Sequence, residues 1–298
     1  MPSPEHEAVV ASLKGQQGGP APTSIAEMRA GLDALVGYFR GLDFPDGVEE
    51  TPTVAGGVPG FWFTPKGARA DRALLYLHGG GYVMGSVATH RSLVGRIAGA
   101  AGIRCLALDY RLAPEHPFPA AIEDACAAYR GLLAQGIAPS ALAIAGDSAG
   151  GGLALGCLVA LRDAGDPLPA AAVCLSPLAD LELSGASASA GIDDPLVDRD
   201  GTRMMAAAYL QGADPRDPRA SPLHADFACL PPLWIEVGTR EILLDDALRV
   251  AHRARAAGVD VTLERGEGLT HVWQLHPNLP ESRESVARIA RFLRERLG

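Results

Sequence analysis

The sequence has no concentration of positive charge. Its 26 lysines and arginines never form a run longer than two, and 35 acidic residues bring the net charge to −9 and the pI to about 5.4. A nucleic-acid-binding face needs clustered Lys and Arg to neutralise phosphates, so that class of partner is excluded. No stretch approaches the ~18 apolar residues of a membrane span. The opening MPSPEHEAVVASLKGQQGG lacks a basic segment followed by an apolar one, so no secretory leader and a cytoplasmic location are expected. The five cysteines, at 105, 126, 157, 174 and 229, contain no C-x-x-C pair. Neither a zinc knuckle nor a disulfide framework is indicated, and no metal is expected. Four of them lie in apolar segments, where Cys acts as a small buried hydrophobe.

What is present is core-forming. With 298 residues, 48% hydrophobic and 20% charged, the chain reads as one large domain carrying a smaller appendage. From residue 58 onward short apolar runs alternate with longer helical patterns. Strands are predicted at 60–63, 73–77, 103–109, 141–145, 171–175, 233–237 and 259–264, and helices at 88–101, 120–135, 149–164, 244–257 and 281–297. Near-continuous apolar strands joined by helices indicate an α/β fold with a mostly parallel sheet covered on both faces. Ligands of such sheets bind at the carboxyl ends of the strands. Two stretches break the alternation. The first ~45 residues carry a helical pattern over 24–40, with apolar positions Ile25, Met28, Leu32, Leu35, Val36 and Phe39. The second, 184–226, runs from a Ser/Ala/Gly-rich opening through DDPLVDRDGTRMMAAAYL. So long a connection inside a compact domain is usually a lid or binding loop. The expected organisation is therefore an N-terminal cap segment (1–45), a catalytic α/β domain (46–183 and 227–298) and a cap insertion (184–226).

The strongest chemical signal is Gly146-Asp147-Ser148-Ala149-Gly150, a G-x-S-x-G motif between the apolar run ALAIA and the helical run GLALGCLVALRDAG. A nucleophile elbow is a sharp strand-to-helix turn whose small neighbours leave the Ser hydroxyl exposed. A phosphate-binding loop is disfavoured because no Lys follows the glycines. The second signal is His78-Gly79-Gly80-Gly81 at the end of ALLYL. An oxyanion hole needs converging backbone N–H groups, and glycines let the main chain come close. Gly80, Gly81 and Ala149 are the expected donors. His78, Gly79 and Asp147 are read as structural support, with the His78 ring anchoring the loop and Asp147 fixing it by hydrogen bonding.

A serine hydroxyl is a poor nucleophile at neutral pH, so a base must take its proton and an acid usually orients that base. In this type of fold the chain order is Ser, acid, His. After Ser148 come His224, His252, His271 and His276. His252 sits among arginines in a helical run, as a surface residue would. His271, in the loop GEGLTHVW past VDVTLE, is the expected base. In the segment after LWIEV, Glu241 is the first carboxylate beyond the strand and is assigned as the acid ahead of Asp245 and Asp246. Those two stand at a helix start, where carboxylates commonly cap free N–H groups.

With these residues in place, the sequence resembles the hormone-sensitive-lipase-like esterases, the bacterial family IV branch of the α/β-hydrolases. The resemblance runs through LLYLHGGGYVMGS, LALDYRLAPEHPFPAA, LAIAGDSAGGGLAL, CLSPLADL and GLTHVWQ, over residues 74–292. It implies an eight-stranded mostly parallel sheet with a small helical cap, the nucleophile at Ser148, the base at His271 and oxyanion glycines at Gly80 and Gly81. The acid position is more often Asp in that family, and here it is Glu241. Asp109-Tyr110-Arg111 and the EHPFP segment read as scaffold, with buried ion pairing of Asp109 or Arg111 holding neighbouring loops in register. The expected activity is hydrolysis of short-chain carboxylic esters through an acyl-enzyme, without a cofactor. Low aromatic content (5%) and a modest cap favour short acyl chains. The rivals are an amidase or peptidase using the same residues, and a non-catalytic small-molecule receptor of the same fold. A homodimer through the last strand or helix would be ordinary for the family.

Overall fold

The computed structural model describes residues 1–16 and 21–298. Residues 17–20 of the expected N-terminal segment and the Phe39 side chain lie outside the described residues. Eight strands form one sheet in the order β1-β2-β4-β3-β5-β6-β7-β8. The strands are β1 (Val48–Ala55), β2 (Val58–Pro65), β3 (Arg69–Leu77), β4 (Ile103–Leu108), β5 (Leu142–Asp147), β6 (Ala171–Leu175), β7 (Leu233–Gly238) and β8 (Val261–Gly266). β1 pairs antiparallel with β2, and β2 with β4; every other neighbour is parallel.

The seven strands expected from apolar runs are present, and β1 was not anticipated. Its sequence VEETPTVA has few apolar residues and a Pro. Both are tolerated because it is an edge strand with one pairing side free.

Alternating side chains of the central strand β3 feed two cores. Leu75 and Leu77 belong to the core under α4 (Ala120–Ala134), α5 (Ala149–Asp163) and α7 (Leu244–Ala256). Leu74 and Tyr76 belong to the core under α3 (Val87–Ala101) and α8 (Pro280–Leu297). The period of two along the strand thus gives a three-layer sandwich. The N-terminal segment forms α1 (Pro4–Gln16) and α2 (Ile25–Gly41), and α2 packs on α3. Between β6 and β7 the chain makes α6 (Arg199–Leu210), whose N-cap Asp198 accepts from the Gly201 amide, and α2 also touches α6.

The strand order decides where chemistry is placed. From β3 the chain crosses to β4 on one side, then returns past β3 to β5 on the other. The loops leaving β3 and β5 therefore diverge at a crevice over the carboxyl ends of adjacent strands, the usual ligand position in open parallel sheets. Those are the loops that carry His78–Gly81 and Ser148.

Leu75 is fully buried at the centre of β3. Leu75→Ala should lower stability by about 2–5 kcal/mol through lost burial and the cavity left behind, read as a lower urea midpoint at unchanged m-value.

Candidate active site

At the end of β5, Ser148 has φ 53° and ψ −122°, a strained conformation for a residue with a Cβ. Three backbone hydrogen bonds hold it there. Its N–H donates to the Leu175 carbonyl at 2.8 Å, and its own carbonyl accepts from Leu178 at 3.0 Å and Gly152 at 3.1 Å. The glycines around it are close-approach residues. A Cβ at Gly146 would overlap the Gly150 carbonyl, and one at Gly150 the carbonyls of Leu77 and His78. The turn thus packs directly on the end of β3.

Opposite it, the loop after β3 is fastened from below. The carboxylate of Asp147, 1% exposed, accepts from the Tyr76 hydroxyl at 2.8 Å and the Gly79 amide at 3.2 Å, and its other oxygen meets His90 Nε2 at 3.1 Å. Burial opposes charge on both partners of that last contact. Their mutual attraction outweighs it, holding the Asp147 carboxyl below and the His90 ring above their ordinary values. A Cβ on Gly79 would strike the Asp147 carboxylate and the Ser148 Cβ. His78 is buried, stacks on Tyr110 with centroids 4.3 Å apart and places Nδ1 2.7 Å from the Gly79 carbonyl. Burial, with His90 nearby, drops its pKa to about 4, so the ring is neutral.

Among the described residues, no acceptor engages the N–H groups of Gly80, Gly81 or Ala149. Gly80 has φ 117° and Gly81 φ 62°. Ala149 is fully buried at the first position of α5, where helix amides have no internal partner.

His271 lies in the loop after β8, and its Nδ1 is hydrogen-bonded to Glu241 Oε2. Glu241 is fully buried, and its other oxygen accepts from the Ser176 hydroxyl at 2.8 Å and the Gly238 amide at 2.6 Å. Burial disfavours charge on the His271 ring. The Glu241 carboxylate outweighs that by charge and hydrogen bond, with Asp194 and Asp147 adding to it, so the pKa stands above the ordinary imidazole value. Ser148, His271, Gly79, Gly80, Gly81 and Asp147 all line one cavity of about 180 Å³. No hydrogen bond joins Ser148 Oγ to the His271 ring among the described residues. Such bonds are often long without substrate. Apolar side chains close the cavity, including Leu32 of α2, Leu196, Val197, Met205 of α6 and Leu243.

The other three histidines that follow Ser148 do not line this cavity. His252 is exposed on α7. His224 lies 3.8 Å from Asp180 and 3.7 Å from Glu182. His276 is buried, and its pKa falls to about 4 through burial.

Two expectations need correction. Asp245 and Asp246 do not cap α7, whose N-cap is Leu243 without a side-chain bond. Their carboxylates reach outward instead. Asp245 accepts from the Ser187 amide at 2.9 Å, and Asp246 from the amides of Ala179 and Asp180, both at 2.9 Å. They staple the segment after β6, whose irregular backbone leaves those amides in need of acceptors. Nor does a buried ion pair of Asp109 or Arg111 set the loops. Asp109 accepts the Val87 amide at 2.8 Å, and the half-exposed Arg111 pairs with Asp124 and Glu123 near α4. The residue between them makes the link, with the Tyr110 hydroxyl donating to the His78 carbonyl at 2.7 Å. Sequence reasoning also missed Ser176, Asp194 and His6, which hold the Glu241–His271 pair or its loop. None has a local motif.

The chain matches the model of the family described as alpha/beta hydrolase fold over residues 74–275. It is 50% identical over 273 residues to an acetyl-hydrolase of Streptomyces hygroscopicus, covering 91% of this chain and 90% of the relative. It is 36% identical over 228 residues to an esterase of Acinetobacter venetianus, covering 76% and 75%. The crystal structure of an esterase from the bacterial hormone-sensitive lipase (HSL) family superposes with a TM-score of 0.94 at 48% identity, covering all of both chains.

The glycine contacts order two substitutions. At Gly150 a methyl group meets fixed backbone, and Gly150→Ala should cost about 3 kcal/mol as overpacking. At Gly81 it meets only the flexible Met205 side chain, so Gly81→Ala should cost about 1 kcal/mol, chiefly for its left-handed backbone. Denaturant midpoints in the reverse order would contradict this packing.

Proposed function

The chain belongs to the α/β-hydrolase fold family, among its bacterial hormone-sensitive-lipase-like esterases, and from that premise we propose a serine carboxylesterase acting through Ser148, His271 and Glu241. One observation carries the reading. A Ser on a strained strand-to-helix turn and a His ring held through Nδ1 by a buried carboxylate open into the same cavity, beside glycine amides that find no acceptor among the described residues. With Nδ1–H donated to Glu241, His271 Nε2 is the basic nitrogen and accepts the Ser148 proton as Oγ attacks the ester carbonyl. The oxyanion receives the amides of Gly80, Gly81 and Ala149, which are fixed before the reaction and so need no reorganisation. The imidazolium, stabilised by Glu241, then protonates the departing alcohol. Water repeats the cycle on the acyl-enzyme to release the acid. His271 must be neutral to start, so kcat/KM falls as pH drops through its raised pKa.

In the same reading, residues 1–45 and 184–226 form the cap. Leu32 from the first and Met205 from the second help close a cavity of about 180 Å³. That volume suits acyl chains of a few carbons.

Ser148→Ala should abolish hydrolysis of p-nitrophenyl acetate with the fold intact, and an organophosphonate should label Ser148. Glu241→Gln should reduce kcat steeply, toward the ~10⁴-fold of the comparable change in the Ser-His-Asp template. Asp245→Asn and Asp246→Asn should lower Tm and leave kcat nearly unchanged. Loss of kcat at full stability in either Asp variant, with Glu241→Gln active, would assign the acid elsewhere. Across p-nitrophenyl acetate, butyrate, octanoate and decanoate, kcat/KM should peak at the short end, and Met205→Ala should move the peak to longer chains.

A further inference from the structure

The loop carrying His271 is neither helix nor strand, and its buried amides need acceptors from elsewhere. Three consecutive N–H groups find them in three different parts of the chain. Thr270 donates to His6 Nε2 of α1 at 3.3 Å, His271 to Asp194 Oδ2 of the insertion at 2.9 Å, and Val272 to the Ser176 hydroxyl after β6 at 3.3 Å. Val272 is left-handed, with φ 44° and ψ 50°, and all three bonds leave the loop. The orientation of Asp194 is also fixed, because its second oxygen accepts from the Leu196 amide at 2.8 Å. Its neighbour Asp193 pairs with Lys14 of α1 and lies 4.0 Å from Arg240, whose backbone N–H donates to the Leu269 carbonyl at 3.0 Å.

We propose that Asp194 is a positioning residue for the base: reaching in from the insertion, it fixes the peptide of His271 and sets a second negative charge beside the ring. The inference rests on His271 being the base. Glu241 controls the ring through Nδ1, while Asp194 controls where the backbone places it. Without the second hold, Nε2 is free to drift from Ser148, and misplacement of about 1 Å costs on the order of 10²-fold in rate. The charged groups facing the His271 ring are Glu241 from the loop after β7, Asp194 from the insertion and Asp147 from the end of β5; all three favour the protonated ring. Burial lifts the Asp194 carboxyl above its ordinary value, with the His271 ring opposing that rise.

The two contributions separate in two variants. Asp194→Asn keeps an acceptor for the His271 amide and removes the charge. Asp194→Ala removes both. The measurements are kcat and KM for p-nitrophenyl acetate across pH, the His271 ring pKa by NMR titration, and Tm, on wild type, both variants and Ser148→Ala. In Asp194→Asn the ring pKa and the acid limb of kcat/KM should move together to lower pH by about one unit, as when one nearby opposite charge is lost, with plateau kcat retained. In Asp194→Ala plateau kcat should fall by on the order of 10-fold or more at little-changed KM. A lowered Tm with both pH profile and kcat unmoved would make Asp194 a structural staple only and overturn the proposal. If Asp194→Ala does not fold, an unmoved ring pKa and acid limb in Asp194→Asn overturn it alone. Activity surviving in Ser148→Ala would instead overturn the serine-esterase reading, whereas an inactive Ser148→Ala beside an unmoved Asp194→Asn refutes this inference by itself.

Discussion

The Asp147 carboxylate, withdrawn from water beneath the crevice, joins the two loops from which the site is built. It belongs to the turn that presents Ser148, yet it receives the Gly79 amide of the opposite loop and the hydroxyl of Tyr76, the penultimate residue of β3. A buried carboxylate left without donors would be strongly unfavourable, so the turn and the loop hold their register as a pair. The His90 ring completes the arrangement, its pKa raised, against burial, by the charge of Asp147 and the hydrogen bond to it. Small residues make the approach close enough. A side chain at Gly79, Gly146 or Gly150 would push the end of β3 and the start of α5 apart.

The His271 side follows the same logic with different parts. Glu241 divides its oxygens between the His271 ring on one hand and Ser176 and Gly238 on the other, which fixes the carboxylate before it fixes the imidazole. Ser148, Ser176 and Val272 all have positive φ without being glycine. Such conformations cost free energy and persist where surrounding contacts over-determine them. Here those contacts are the hydrogen bonds that knit the ends of β5, β6 and the loop after β8 together.

Much of this was legible because it is local. The G-x-S-x-G motif, the HGGG run and His271 past an apolar strand each carry their context within a dozen residues, and alternation of strands and helices fixed the sheet's parallel character. Glu241 was readable from position alone, as the first carboxylate beyond β7. The parts that escaped are those whose meaning is non-local. β1 is polar because it lies at an edge, so it shows no apolar run. α1 lacks a clear apolar stripe. Asp194, His6 and Ser176 look like ordinary loop or surface residues until the fold brings them to the amides around His271. The reading of Asp245 and Asp246 as caps failed for the same reason. A carboxylate at a helix start has its own helix's amides within reach, but here the loop after β6 offered better-placed donors.

The grip of His6 on Thr270 spans 264 positions of the chain. Contacts between such distant segments carry the largest loop-closure cost and tend to form late, after local helices and neighbouring strands. A nascent chain can therefore assemble β3, β5 and the Ser148 turn well before ribosomal synthesis reaches the His271 loop, and that loop in turn has to meet α1, a helix made long before it. Closure of the crevice by the His271 loop is, on this architecture, an end-of-assembly event.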